Sequence, residues 1–316
     1  MIAKLDIIIV NWNSGNFVSE CIESISCAII QNFKLNRLVV VDNGSSDDSL
    51  SKIKPNNLPL IVIKNEQNFG FGKACNQGAI GSEADYLLML NPDTRLNENS
   101  LWGPIKFMEK KDNKNIGVIG IQIYNDKNEI SRNCARFPTP LKMIYRSIGL
   151  DKLFPQIFQS HFMTEWDHKN SRIVDQVMGS FFMIRRKLFN DLNGFDERFF
   201  VYYEDLDLAL RARKKSYFNY YLADASIYHK GGGVTENIKS KRMFINLQSK
   251  ILFARKHFNF RTFIIVYFVI LMLEPIARIL GAVFRGSFST IVQISKAYKE
   301  LYKSNIFNKN YNIPDK

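Results

Sequence analysis

Residues Tyr86–Leu90 form an unbroken run of five apolar or aromatic side chains that stops at Asn91-Pro92-Asp93-Thr94. A strand with no polar alternation must be covered on both faces, the situation of a parallel sheet sandwiched between helices. Pro92 ends the run and biases Asn91 toward an extended backbone. Asp93 is therefore expected at the carboxyl end of a central strand, the edge where open α/β sheets bind ligands. Our first expectation is that Asp93 holds a divalent cation against the phosphates of a nucleotide.

The same grammar repeats along the first half of the chain. Leu5–Val10 is apolar apart from Asp6 and stops at Asn11-Trp12-Asn13-Ser14. A helix follows, capped by Ser14 or Asn16, with Val18, Cys21, Ile22, Ile25 and Ile29 on one face. Leu38–Val41 stops at Asp42-Asn43-Gly44-Ser45, and Leu60–Ile63 stops at Lys64-Asn65. Strands and helices alternate to about residue 124, which predicts a doubly wound, mostly parallel sheet with its polar strand ends at one edge. Residues 125–172 are irregular and hold Pro138, Pro140 and Pro155; they read as an insertion or lid over the acceptor side. Regular pattern returns with a strand over Val177–Ile184, a helix opening at Glu204-Asp205, and a strand over Ser226–Tyr228 that ends at His229 before three glycines. This organisation predicts a catalytic domain over 1–237 and a helical tail over 238–316.

Charge separates the two parts. The net charge is +13, but from Lys230 onward fifteen Lys/Arg face four Asp/Glu, so nearly all of the excess lies in the tail. Such a tail suits an anionic partner, a membrane surface or a nucleic acid. Thr262–Leu273 is a block of twelve uncharged residues, too short to span a bilayer, and Glu274-Pro275 is expected to interrupt it. In the second piece Glu274, Arg278 and Arg285 fall on one face and the rest is apolar, a pattern for a helix lying in a membrane interface. Two apolar blocks of this length exceed what a nucleic-acid arm needs, so nucleic acid is not the expected partner. The rival use of these blocks is burial against the catalytic domain or a homodimer contact. Cys21, Cys27, Cys75 and Cys134 form no CxxC pair, and the N-terminus does not read as a signal peptide. Both fit free thiols in a reducing cytoplasm without structural zinc.

Several short constellations could carry chemistry. A carboxylate at Asp42 can accept the imide N–H of a uracil or thymine ring, and Gly44 lets the chain turn close to a ligand; the bland alternative is a helix cap near Ser46. Asn68-Phe69-Gly70-Phe71-Gly72-Lys73 has two glycines of a dinucleotide fingerprint, but Cys75 occupies the third and the motif follows the wrong βα unit. A Rossmann dehydrogenase is thereby excluded, although Gly70, Gly72 and Lys73 still admit a phosphate or a sugar. Glu204 and Asp205 open a helix, where the dipole alone favours acids. Tyr202 and Tyr203 beside them suggest a pocket in which a carboxylate could take the proton of an attacking hydroxyl. His229, at a strand end, is a candidate metal or phosphate contact.

Taken in order, Ile9-Val10-Asn11-Trp12-Asn13, Val40–Asp47, Asn68–Gly72, Leu90–Thr94, Gly194-Phe195-Asp196-Glu197, Tyr203–Asp207 and His229 resemble the family 2 glycosyltransferases of GT-A fold, nearest to the rhamnosyltransferase-like branch that builds bacterial surface polysaccharides. The resemblance covers residues 5 to about 235. It implies inverting transfer of a sugar from a dTDP or UDP diphosphate to a hydroxyl of a lipid-linked saccharide, at the inner face of the plasma membrane. Asp42 would bind the pyrimidine, with Val10, Asn11, Asn13, Asn43, Asn68, Gly70 and Lys73 around the nucleotide. Asp93 matches the last residue of the DxD motif and would bind Mg²⁺ or Mn²⁺, with His229 as a second contact. Asp205 would be the base, with Glu204 beside it. One departure is Asn91, which stands where the family carries the first aspartate and throws cation binding onto Asp93 and the pyrophosphate. Two rivals are a sugar nucleotidyltransferase, for which no Gly-rich triphosphate loop is visible, and a membrane-bound scaffold that keeps the fold without the reaction.

Overall fold

The computed structural model describes residues 2–28, 32–55, 57–231 and 239–304. Ile29, Gly232, Gly233 and the end of the basic tail lie outside them. The strands are β1 (Lys4–Asn11), β2 (Lys34–Asp42), β3 (Leu60–Lys64), β4 (Tyr86–Leu90), β5 (Thr94–Leu96), β6 (Ile116–Tyr124), β7 (Cys134–Ala135), β8 (Arg172–Val174), β9 (Gln176–Val177), β10 (Phe181–Arg185) and β11 (Phe218–His229). The α-helices of the same region are α1 (Phe17–Ala28), α2 (Phe71–Ala79), α3 (Trp102–Met108), α4 (Pro140–Ser147), α5 (Leu150–Leu153), α6 (Arg186–Asp191) and α7 (Glu204–Lys214). The C-terminal helices are α8 (Lys239–His257), α9 (Phe260–Phe268), α10 (Glu274–Phe284) and α11 (Phe288–Lys303), with a π-helical stretch over Val269–Leu273 between α9 and α10.

Among the described residues, nine strands make one mixed sheet in the order β3-β2-β1-β4-β10-β6-β11-β5, with β8 beside β11. The strands β3, β2, β1 and β4 run parallel. β10 is antiparallel to both β4 and β6, and β11 is parallel to β6. Two reversals cancel, so β6 and β11 run in the same direction as β4. The ends of β1, β2, β4 and β11 therefore meet at one edge, together with the start of β10. All five residues of β4 are buried, as an apolar run between two helical layers requires. α1 and α3 cover one face of the sheet around Ile7, Ile9, Val40 and Leu88. α2, α6 and α7 cover the other around Ile8, Val41, Met89 and Phe182. Ile61 and Val62 of β3, the outer strand of the sheet, stay 41% exposed.

The chain divides into two compact units. The first takes residues up to Phe137, Phe162–Phe200 and the chain from Glu204 through β11; it holds the whole sheet. The second takes Pro138–His161, Val201–Tyr203 and the helices from α8 onward. The stretch expected as a single insertion is thus shared: its middle, with α4 and α5, folds with the C-terminal helices. The expected strand over Val177–Ile184 is also two short ones, because Met178-Gly179-Ser180 turns between β9 and β10.

The C-terminal helix departs from expectation as well. Glu274-Pro275 does not interrupt it: Phe260–Phe284 is continuous over 25 residues. Pro275 falls inside this continuous helix at the start of α10, and the π-helical stretch just before it accommodates the missing N–H. Glu274 is buried, not exposed on a basic stripe. It accepts from Lys250 Nζ of α8 at 2.7 Å and from Arg278 at 2.6 Å, while Lys250 also donates to Ser147 Oγ at 2.6 Å. The four cysteines are free thiols.

Candidate functional site

The turn after β4 is built from its own side chains. Thr94 Oγ1 donates to Asn91 O at 2.7 Å, and Lys230 N, just after β11, donates to Asp93 O at 3.2 Å. β11 then delivers His229, whose Nε2 lies 3.1 Å from Asp93 Oδ1 and 3.4 Å from Asn91 Nδ2. On the other side of β4, Asn91 N donates to Ser180 O at 3.1 Å, and the neighbouring Gly179 N donates to Asp205 Oδ2 at 3.0 Å. An unbroken run of contacts thus joins Asp205, Gly179-Ser180, Asn91, His229 and Asp93 along one sheet edge. The two carboxylates singled out from sequence stand in one neighbourhood. A cavity of about 370 Å³ opens beside Asp93, lined also by Phe17, Arg95, Asp126, Tyr228 and Lys230.

Glu204 and Asp205 begin α7, where unpaired N–H groups and the dipole favour negative charge. Asp205 is half-buried and accepts from Leu206 N at 2.7 Å, from Gly179 N and from the Gln176 side chain. Burial raises its pKa above the ordinary carboxylate range, and these hydrogen bonds hold the rise back. Glu204 is buried, and its Oε2 has no hydrogen-bond partner. Burial and then the charge of Asp205 push its pKa well up. Burial thus favours the neutral form of Glu204 more strongly than that of Asp205, whose charge the three donors support. Immediately before them Tyr202 and Tyr203 both take left-handed backbone, φ 70° and 69°, a costly conformation for two bulky residues in a row. The pocket expected from these tyrosines is not where their rings go: within the second unit Arg242 donates to Tyr202 OH, and Tyr203 packs on Phe253 of α8. This strain carries no composition signal, because the residues that bear it are not glycine or asparagine.

The Asn68–Lys73 motif packs against the segment that leads into α7. Gly70 has φ 90°, and a Cβ there would lie 2.3 Å from Phe200 O. Phe71 N donates to that same carbonyl at 2.7 Å, and Gly72 packs against Phe195 and the Glu204 Cβ. Lys73 Nζ sits 4.6 Å over the Phe69 ring.

Several residues expected around the nucleotide also hydrogen-bond one another. Asn11 is fully buried; its Nδ2 donates to Asp42 Oδ1 at 2.8 Å and Ser49 Oγ at 2.9 Å, and its Oδ1 accepts from Ser14. Asn43 donates to Asn68 Oδ1 and Gly70 O and accepts from Phe69 N and Asn65. Asn13 Oδ1 accepts from Ser46 N and Asp47 N, tying down the turn after Asp42. These asparagines act by holding Asp42, the Ser45–Asp47 turn and Gly70 in place. Val10 is buried at the end of β1 and offers only backbone there.

No three His, Cys, Asp or Glu side chains converge on a metal position among the described residues. Asp93 Oδ1 and His229 Nε2 face each other at 3.1 Å, one oxygen and one nitrogen donor, so a cation placed here would need its remaining ligands from a substrate's phosphate oxygens.

Comparison with known proteins agrees with this architecture. The family model described as Glycosyl transferase family 2 matches residues 6–192, more than half of the chain. An N-acetylglucosaminyl-diphospho-decaprenol L-rhamnosyltransferase of Mycobacterium tuberculosis is 23% identical over 241 residues, covering 71% of this chain and 75% of its own. Rhamnosyltransferase WbbL of Escherichia coli is 29% identical over 133 residues, 41% of this chain and 46% of its own. Among solved structures, a mannosyltransferase from Pyrobaculum calidifontis in complex with GDP-Man and Mn²⁺ superposes with a TM-score of 0.54 at 14% identity, covering 96% of this chain and 82% of its own. Staphylococcus aureus TarS 1-349 superposes at 0.51 and 16% identity, covering 95% and 91%. At these identities the solved structures speak for the fold, which is GT-A. With its family model spanning the β1–α6 core and the strand-end carboxylates in place, the chain belongs to glycosyl transferase family 2.

Proposed function

We propose that the protein is an inverting glycosyltransferase. It moves a hexose, rhamnose in the first instance, from a dTDP or UDP diphosphate to a hydroxyl of a lipid-linked saccharide during bacterial surface-polysaccharide synthesis. It works as a peripheral protein on the inner face of the plasma membrane. The observation that carries this reading is the run of contacts linking Asp205 to Asp93 at one sheet edge. The two relatives named as rhamnosyltransferases support the sugar, and the mycobacterial one, named for a decaprenol-linked substrate, supports the acceptor class.

Asp42, fixed by Asn11 and by Ser45 N, accepts the pyrimidine imide N–H. Asp93 and His229 would hold the Mg²⁺ or Mn²⁺, which when bound neutralises charge on the departing diphosphate. Asp205 accepts the acceptor hydroxyl's proton as its oxygen bonds to the anomeric carbon, and the bond to the phosphate oxygen breaks on the opposite face. One such displacement inverts the anomeric centre. Glu204 stays neutral and keeps a second negative charge out of the acceptor side. A thermal-shift screen of nucleotide sugars with and without Mn²⁺ tests the donor, and NMR of the anomeric linkage in the product tests inversion. A product that retains the donor's configuration refutes the single-displacement mechanism, and a chain stabilised only by nucleoside triphosphates refutes the nucleotide-sugar donor.

A further inference from the structure

The continuous helix Phe260–Phe284 has two unlike sides. One packs inside the C-terminal unit through Phe263, Val266, Ile270, Glu274 and Ala282. The other is open: every fourth residue from Phe260 to Phe284 is a large apolar side chain (Phe, Ile, Phe, Met, Ile, Leu, Phe), each at least 44% exposed. On a regular helix a period of four drifts steadily around the axis. The π-helical stretch at Val269–Leu273, with more residues per turn, sets part of that drift back, so the exposed row continues across the junction. Seven such exposed apolar positions on one helix far exceed the scattered single residues of an ordinary surface. Exposed Arg261, Arg285, Lys296 and Lys299 lie on this helix, on the turn that follows it and on α11.

We infer that this ridge docks flat into the interface of an anionic bilayer leaflet, apolar row inward, with Arg261 and Arg285 at its two ends on lipid phosphates. Charge selects this occupant. A second copy laid antiparallel on the same face would set Arg261 and Arg285, at the two ends of the row, against their counterparts, whereas an anionic headgroup layer complements them. The helix is long enough to span a bilayer. It does not do so, because Glu274, past its midpoint, is clamped by Lys250 from α8, and inserting it would drag that buried ion cluster into hydrocarbon. The inference deepens the membrane part of the function proposed above. Its test needs no turnover, so the two readings fail separately.

The test is cosedimentation of the full chain with vesicles of phosphatidylcholine alone or mixed with phosphatidylglycerol. The wild type is expected to bind the mixed vesicles and to be released by salt. The triple variant Phe268→Ser/Met272→Ser/Ile276→Ser is expected to lose about tenfold or more in partitioning while its melting temperature and monodispersity hold. Arg261→Glu/Arg285→Glu, which leaves the apolar row intact, is expected to lose the preference for phosphatidylglycerol. In a Phe284→Trp variant, lipids brominated near the carbonyl end of the chain are expected to quench more than lipids brominated near the methyl end. No vesicle binding by the wild type, deep quenching with protease protection, or a dimer that the triple variant dissociates would each overturn the inference.

Discussion

Replacing Asp205 by Asn isolates the proton-accepting step. The carboxylate is held by Gly179 N on Oδ2, by Leu206 N on Oδ1 and by Gln176. An Asn side chain keeps its oxygen toward one of the two backbone donors and turns its NH₂ against the other. That loses one hydrogen bond, about 0.5–1.5 kcal/mol, and it also removes a charge that burial disfavours, so folding stability should move by only about 1 kcal/mol. Catalysis loses much more. A positioned general base contributes roughly 10²–10⁴-fold, about 3–5 kcal/mol of barrier, and a neutral amide supplies none of it. On the proposed assignment Asp205 serves the acceptor and not the donor, so the dissociation constant for the nucleotide sugar should hold. The assay pairs steady-state release of nucleoside diphosphate in the presence of acceptor with calorimetric titration of the donor. A variant that keeps kcat within about tenfold of wild type, or whose donor affinity falls in step with kcat, refutes the assignment.

The same site supplies a pH prediction. Burial holds Asp205 above the ordinary carboxylate range, so the acid limb of kcat should lie above the usual Asp value, activity falling as pH drops through it. Glu204 has a raised folded pKa: its proton favours the folded state at low pH, and stability is lost as pH rises from the unfolded value through the folded one. Glu204→Gln mimics the protonated form, and chemical denaturation across pH should show that loss removed while turnover persists. Gly70→Ala forces a Cβ to within 2.3 Å of Phe200 O at a left-handed position, and urea unfolding should show a cost of about 2–4 kcal/mol. Lys250→Met leaves Glu274 buried with Arg278 alone; differential scanning should show a loss of about 3–5 kcal/mol, much of it restored by adding Glu274→Gln.

The edge where the site sits was legible because the strands announce it. Apolar runs without alternation require coverage on both faces, and the residues that stop them, Asp42 and Asp93, must then stand at a common edge once the strands run parallel. The α7 start at Glu204-Asp205 was legible from the dipole rule and from the helical pattern behind it. The antiparallel insertion of β10 between β4 and β6 was not, because a five-residue apolar run carries no direction. That insertion brings Gly179-Ser180 against both Asn91 and Asp205 and so joins the two halves of the site. The internal duties of Asn11 and Asn43 were also hidden: an asparagine at a strand end has the same chemistry whether its amide faces a nucleotide or Asp42. Glu274 read as an interruption because its partner, Lys250, lies on a different helix, and periodicity along one helix cannot report a partner on another.

The account turns on a division of labour in which Asp93 serves the donor and Asp205 the acceptor. Calorimetric titration of a UDP or dTDP sugar with and without Mn²⁺, in wild type, Asp93→Ala and Asp205→Asn, measures it directly. The account predicts that Mn²⁺ tightens donor binding in the wild type and in Asp205→Asn, and that this increment disappears in Asp93→Ala. An equal Mn²⁺ increment in Asp93→Ala, or its loss in Asp205→Asn, would contradict it.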